Sequence, residues 1–130
     1  MKAYLLQNSS HALDESLENE LKLKQINVER VTLPTDHEDI TGIFSTREMG
    51  IIFLPSIWED LYCVKVIDEI QTLKIPFETV IVGSAPSVQN LVLAFNNGLT
   101  AYLDSPVEND KLNRVMPRVA QRLKKKLTHM

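Results

Sequence analysis

Two hydrophobic rhythms alternate along the chain. Short strand-like stretches fall at Lys2 to Gln7, Val28 to Leu33, Gly50 to Leu54, Thr79 to Gly83 and Thr100 to Leu103. The continuous apolar runs Gly50 to Leu54, ended by Pro55, and Thr79 to Gly83 read as strands covered on both faces. Between them apolar residues recur every three or four positions, the spacing of one helix face. Leu13, Leu17 and Leu21 form such a stripe, with Ser9-Ser10 ahead of it as a candidate cap. Ile40, Ile43 and Phe44 fit a short helix despite Gly42. Leu61, Val64, Ile67, Ile70 and Leu73 fit a longer one over 58–74. Val88, Leu91, Val92 and Phe95 lie on one side of a helix from Pro86 to Asn97, and Gly98 stands where a left-handed C-terminal cap is expected. Leu112, Val115, Val119 and Leu123 mark the last helix. Pro117 inside it removes a backbone donor and predicts a kink or a restart.

Five successive strand–helix units imply a parallel sheet with right-handed crossovers, in one domain spanning residues 1–130. In such an open sheet ligands sit beyond the carboxyl ends of the strands. The residues to examine are therefore Gln7 to Ser10, Pro55 to Trp58, Gly83 to Pro86 and Asp104 to Pro106.

Composition narrows the class. Hydrophobic residues are 44% and charged residues 24% of the 130, ordinary for a folded soluble protein. The single Cys63 excludes an internal disulfide and suggests a reducing compartment, so a cytoplasmic location is expected. No apolar run reaches the ~20 residues of a membrane span, and no membrane partner is expected. The net charge of −3 conceals an asymmetry: residues 1–110 hold all 17 acids, and residues 111–130 hold seven of the 14 bases. A solvated basic helix face is the simpler reading, and an acidic partner the sharper one. No aromatic residue is interleaved with these bases, which argues against direct nucleic-acid binding. His11, His37 and His129 lack metal-ligand spacing, and Cys63 reads as an inert core thiol.

From Ile51 onward the chain resembles the receiver domains of bacterial two-component response regulators, which are CheY-like. Ile51 to Leu54 resembles the strand that ends in the phosphoacceptor. Val80-Ile81-Val82-Gly83-Ser84-Ala85 resembles the strand that ends in Thr or Ser followed by Ala. Phe95 to Pro106, with Gly98, Ala101, Tyr102, Leu103 and Pro106, resembles the stretch before the last helix. The resemblance implies a flavodoxin-like (βα)5 three-layer sandwich of α/β class, with strand order 2-1-3-4-5 and two helices on one face and three on the other.

Phosphoryl transfer in that family implies five groups: two acids that hold Mg²⁺, a nucleophilic Asp, a hydroxyl and a Lys. Positioning and charge neutralisation do the chemistry. The acid pair falls on Gln7 and Asn8. The nucleophile falls on Pro55, or on Leu54 one residue earlier. The hydroxyl is Ser84, and the Lys position is Ser105. Only Ser84 is chemically intact, which implies a degenerate pseudo-receiver with no catalytic residue, no metal and no cofactor. A neutral Ser105 is coherent with this, because a buried Lys without an anion would be an unpaired charge. The nearest acids, Asp104, Glu59 and Asp60, are poorly placed to replace the nucleophile. A phosphorelay through the Ser84 or Ser105 hydroxyl lacks an adjacent base.

Ser84 reads either as an anion donor or, preferred, as the cap of the following helix. Ser105-Pro106-Val107-Glu108 reads as a capping box with Pro at the first helical position. Trp58 either plugs the vestigial pocket or meets a partner. Tyr102 matches an aromatic that in the family swings on phosphorylation. Here a static strand aromatic with its hydroxyl at the surface is preferred. The resemblance implies a non-enzymatic signalling module with a protein partner or a second copy at the fourth helix, fifth strand and fifth helix. Tyr102, Lys111, Arg114, Arg118 and Arg122 are the candidate partner face. Nucleic acid would be met only through an output domain beyond residue 127. The alternative is a flavodoxin-like small-ligand or cofactor-binding domain, which needs a phosphate-cradling first loop; Gln7 to His11 has two serines and no glycine.

Overall fold

The computed structural model describes residues 1–128; the expectation for His129 lies outside them. The strands are β1 (Lys2–Gln7), β2 (Asn27–Thr32), β3 (Gly50–Pro55), β4 (Phe77–Gly83) and β5 (Ala101–Asp104). The helices are α1 (Glu15–Leu23), α2 (Ile40–Phe44), α3 (Tyr62–Gln71), α4 (Val88–Asn96) and α5 (Asn109–Thr128). All strand pairs are parallel, in the order β2-β1-β3-β4-β5. This is the expected α/β architecture.

Alternation along the strands splits the core into two layers. Tyr4, Leu6, Ile52, Leu54 and Ile81 face α2, α3 and α4. Ala3, Leu5, Ile51, Phe53, Val80, Val82 and Leu103 face α1 and α5, where they meet Leu17, Leu21, Leu112 and Val119. Every residue of β3 is buried, as its continuous apolar run requires. Pro55 is tolerated in this central strand because β1 pairs with β3 only as far as Phe53, so no donor is missing on that side.

Helix termini depart from expectation in four places. Ser9-Ser10 do not cap α1; they lie in a turn, and the helix starts at Glu15 after Asp14. The 58–74 helix is divided: a 3₁₀ turn at Glu59–Leu61 precedes α3, with Asp60 (φ 54°) and Leu61 (φ 56°) both left-handed. Ser87, not Ser84, caps α4, its hydroxyl accepting from the Asn90 amide at 3.1 Å. Ser105 to Glu108 is not a capping box; the Ser105–Pro106 bond is cis and α5 begins at Asn109. Gly98 closes α4 as expected, with φ 114° and the Leu99 amide returning to the Ala94 carbonyl at 3.1 Å. α5 runs through Pro117 as one helix, so there is no restart.

Candidate functional site

The carboxyl edge of the sheet gathers all five positions that the resemblance singled out, and each is engaged in holding the fold. Gln7 ends β1, where its Oε1 accepts from Arg30 of β2 at 2.9 Å. Arg30 also donates to Glu18 of α1 at 3.1 Å. A guanidinium therefore stands beside the position where a receiver would hold its cation, already balanced by Glu18. Asn8 Oδ1 accepts from the amides of Ser10 (2.9 Å) and His11 (2.7 Å), and the Asn8 amide donates to the His11 carbonyl at 2.8 Å. The loop is closed on itself, and the carbonyl oxygen that could have touched a hard cation is spent on backbone.

Pro55 is buried at the end of β3 and offers no nucleophile. The next residue, Ser56, lies in the Pro55 to Trp58 stretch, and the sequence pattern assigns it no role of its own. Its amide donates to the Val82 carbonyl at 3.1 Å, and its Oγ accepts from the Ser84 amide at 3.0 Å. Gly83 permits this contact: it has φ 146°, and a β-carbon there would collide with Ser56 Oγ. The indole Nε1 of Trp58 donates to the Ser84 carbonyl at 2.7 Å. Both backbone groups of Ser84 are thus taken by the β3 loop, and Trp58 bridges the crevice between β3 and β4.

On the other side, the Ser105 amide donates to the Gly83 carbonyl at 3.0 Å, and its hydroxyl lies 3.4 Å from Asp14 Oδ2. The Tyr102 hydroxyl is not free at the surface: it donates to Asp104 Oδ1 at 2.8 Å and lies 2.9 Å from the Gly83 carbonyl. Burial, then the bond to Asp104, pushes its pKa up to about 12. Asp104 also pairs with Lys111 at 3.8 Å. Among the described residues no three His, Cys, Asp or Glu side chains converge as a metal site would require. The cleft at this edge, ≈540 Å³, is displaced toward β2, between Asn8, Asp36, His37, Asp60, Tyr62 and Lys65; Pro55, Ser84 and Ser105 do not line it.

The candidate partner face divides. Arg114 and Arg118 are exposed on α5 and have no ion pair among the described residues, while Lys111 is held by Asp104. Arg122 stays half-exposed but pairs with the buried Glu78 of β4 at 3.5 Å, as Lys126 does at 3.0 Å. α4 buries only Ala94. Val88 (77% exposed), Val92 (51%) and Phe95 (43%) share a stripe that faces outward. No charged side chain occurs from residue 79 to 103, so α4 itself contributes no charge beside the stripe. No described helix is long and apolar enough to cross a membrane.

No protein-family model and no curated protein matches this sequence. Solved structures do match in fold. A two-component response regulator from Clostridium difficile superposes with a TM-score of 0.73 at 19% identity, covering 95% of this chain and 98% of that one. A CheY-like response regulator receiver domain protein from Methanospirillum hungatei JF-1 gives 0.71 at 15%, covering 99% and 98%. The signal receiver domain of a putative Luxo repressor protein from Vibrio parahaemolyticus gives 0.71 at 22%, covering 96% and 93%. The chain therefore has the receiver fold over nearly its whole length.

Proposed function

We propose that this chain is a non-enzymatic receiver-like signalling module that acts through protein–protein contact, without aspartyl phosphorylation. The observation that carries the reading is the outward apolar stripe of α4. A surface helix normally turns such a stripe to the core, and an exposed patch rimmed by polar residues marks an interaction site. Tyr102 of β5 and the exposed Arg114 and Arg118 of α5 are assigned to the same partner face. The occupied crevice supports the same reading. Mg²⁺ and a phosphoryl group need free anionic ligands and free donors; the cation positions Gln7 and Asn8 carry no charge, and the Asn8 side-chain carbonyl and the Ser84 and Ser105 amides are already bonded within the fold. The closed Asn8 loop also weighs against the flavodoxin-like cofactor alternative, because the amides that would cradle a phosphate are in use.

The first partner to test is a second copy of the chain. Sedimentation equilibrium of the wild type and of Val92→Glu, Phe95→Glu and Arg118→Glu measures it. The expected result is a reversible wild-type dimer, with at least tenfold weaker association in Phe95→Glu. Self-association unchanged by all three variants removes this face from the account.

A further inference from the structure

The opposite pole of the molecule holds a second opening. Helix α5 has 20 residues, a length of about 30 Å; β1 has six, a length of about 20 Å. The last turns of α5 therefore reach past the amino-terminal edge of the sheet. Under them lies a groove of ≈720 Å³, lined by Met1 and Met49 and by Pro117, Ala120, Leu123 and Leu127 of α5. A second hollow of ≈470 Å³ continues it toward Ile26 and Met116, sharing Met1, Pro117 and Ala120. The sequence explains the space. Pro117 and Ala120 are the short side chains on this part of α5, and larger residues there would fill it. Leu127 (41% exposed) and Met1 (57%) stand at its mouth as apolar side chains in contact with water.

The charged side chains lining the two hollows are mostly basic. Lys2, Lys24 and Lys124 line the two hollows against a single acid, Glu48. Lys2 is paired with Glu29 at 3.5 Å, while Lys24 and Lys124 have no ion pair among the described residues. The volume lies in the range of small-ligand pockets. Methionines are adaptable walls for a flexible apolar chain, and unpaired ammonium groups at the mouth favour an anionic head. We infer that this groove binds a free, medium-length lipophilic carboxylate, its chain along Met1, Met49 and Ala120 and its carboxylate at Lys124 or Lys24. The site is separate from the α4 surface, so neither reading depends on the other.

Isothermal titration with octanoate, decanoate and dodecanoate, each below its micellar concentration, tests the proposal. Saturable one-to-one binding is expected, tightening about fourfold for each added methylene. Ala120→Trp, which fills the groove, is expected to weaken dodecanoate at least tenfold. Lys124→Glu is an exposed change that leaves packing alone and serves where Ala120→Trp does not fold; it is expected to weaken binding severalfold. Dodecyltrimethylammonium should bind far more weakly than dodecanoate. The proposal is overturned by absence of saturable binding, by equal affinity for the cationic amphiphile, by affinity that ignores both variants, or by adsorption to phosphatidylglycerol vesicles without uptake of monomeric decanoate.

Discussion

Glu78 is the charged residue most deeply committed to the fold, and removing its two cations has a calculable consequence. It is 1% exposed on β4. Lys126 Nζ lies 3.0 Å from Oε1, Arg122 Nε lies 3.5 Å from Oε2, and the Thr100 hydroxyl donates to the carboxylate. The two basic side chains are 48% and 35% exposed, so water screens them and each alone contributes modestly. Arg122→Met and Lys126→Met keep the aliphatic stems, and each is expected to cost about 1 kcal/mol. The double variant leaves a buried carboxylate with no cation, for which about 3–5 kcal/mol is expected. For a chain of this size that is a fall in Tm of roughly 10–18 °C. The loss should exceed the sum of the single losses, because either cation suffices to compensate the charge. Adding Glu78→Gln to the double variant removes the buried charge and should recover most of the loss. Urea unfolding followed by far-ultraviolet circular dichroism measures the wild type and the four variants. Strict additivity, or a double variant within about 1 kcal/mol of wild type, refutes the reasoning.

Three further outcomes follow from the same geometry. Cys63 is fully buried and its thiol is pushed up to about 12 by burial, so reaction with an aromatic disulfide at pH 8 should run at least a thousandfold slower than in urea. The Tyr102 phenol holds its proton to about 12 when folded, against 10.0 ordinarily. The folded state then binds more protons between these values, so stability is lost as pH rises through that window; in Tyr102→Phe the loss should be smaller, as alkaline melting curves will show. Gly83→Ala places a β-carbon against Ser56 at a positive φ and should cost at least about 2 kcal/mol by urea unfolding.

The sheet was legible because burial on both faces writes itself as unbroken apolar runs: Ile51 to Leu54 needs no tertiary context to be read as a central strand. The alignment of Gln7, Asn8, Pro55, Ser84 and Ser105 at one edge follows from strand ends alone. What local pattern could not supply was the competition among neighbours. Ser84 and Ser87 are equally good caps in sequence, and the choice falls to Ser87 because Ser56 and Trp58 hold the Ser84 backbone in the preceding loop. Arg122 looked like a surface cation because its partner lies 44 residues earlier, on a strand it meets only in three dimensions. The α4 stripe had the right period for a core helix, yet Ala94 alone is buried. Periodicity reports a face, and only the packed neighbours decide which way it points.

The central claim is that the carboxyl-edge crevice takes neither Mg²⁺ nor a phosphoryl group. Trp58, the single tryptophan, bridges that crevice and is its natural reporter. The decisive measurement is intact mass after incubation with acetyl phosphate and Mg²⁺, paired with Trp58 emission during titration with beryllofluoride and Mg²⁺. The expected result is the mass of the unmodified chain and a flat emission curve. A stoichiometric phospho-adduct, or a saturable Mg²⁺-dependent change in emission, contradicts it.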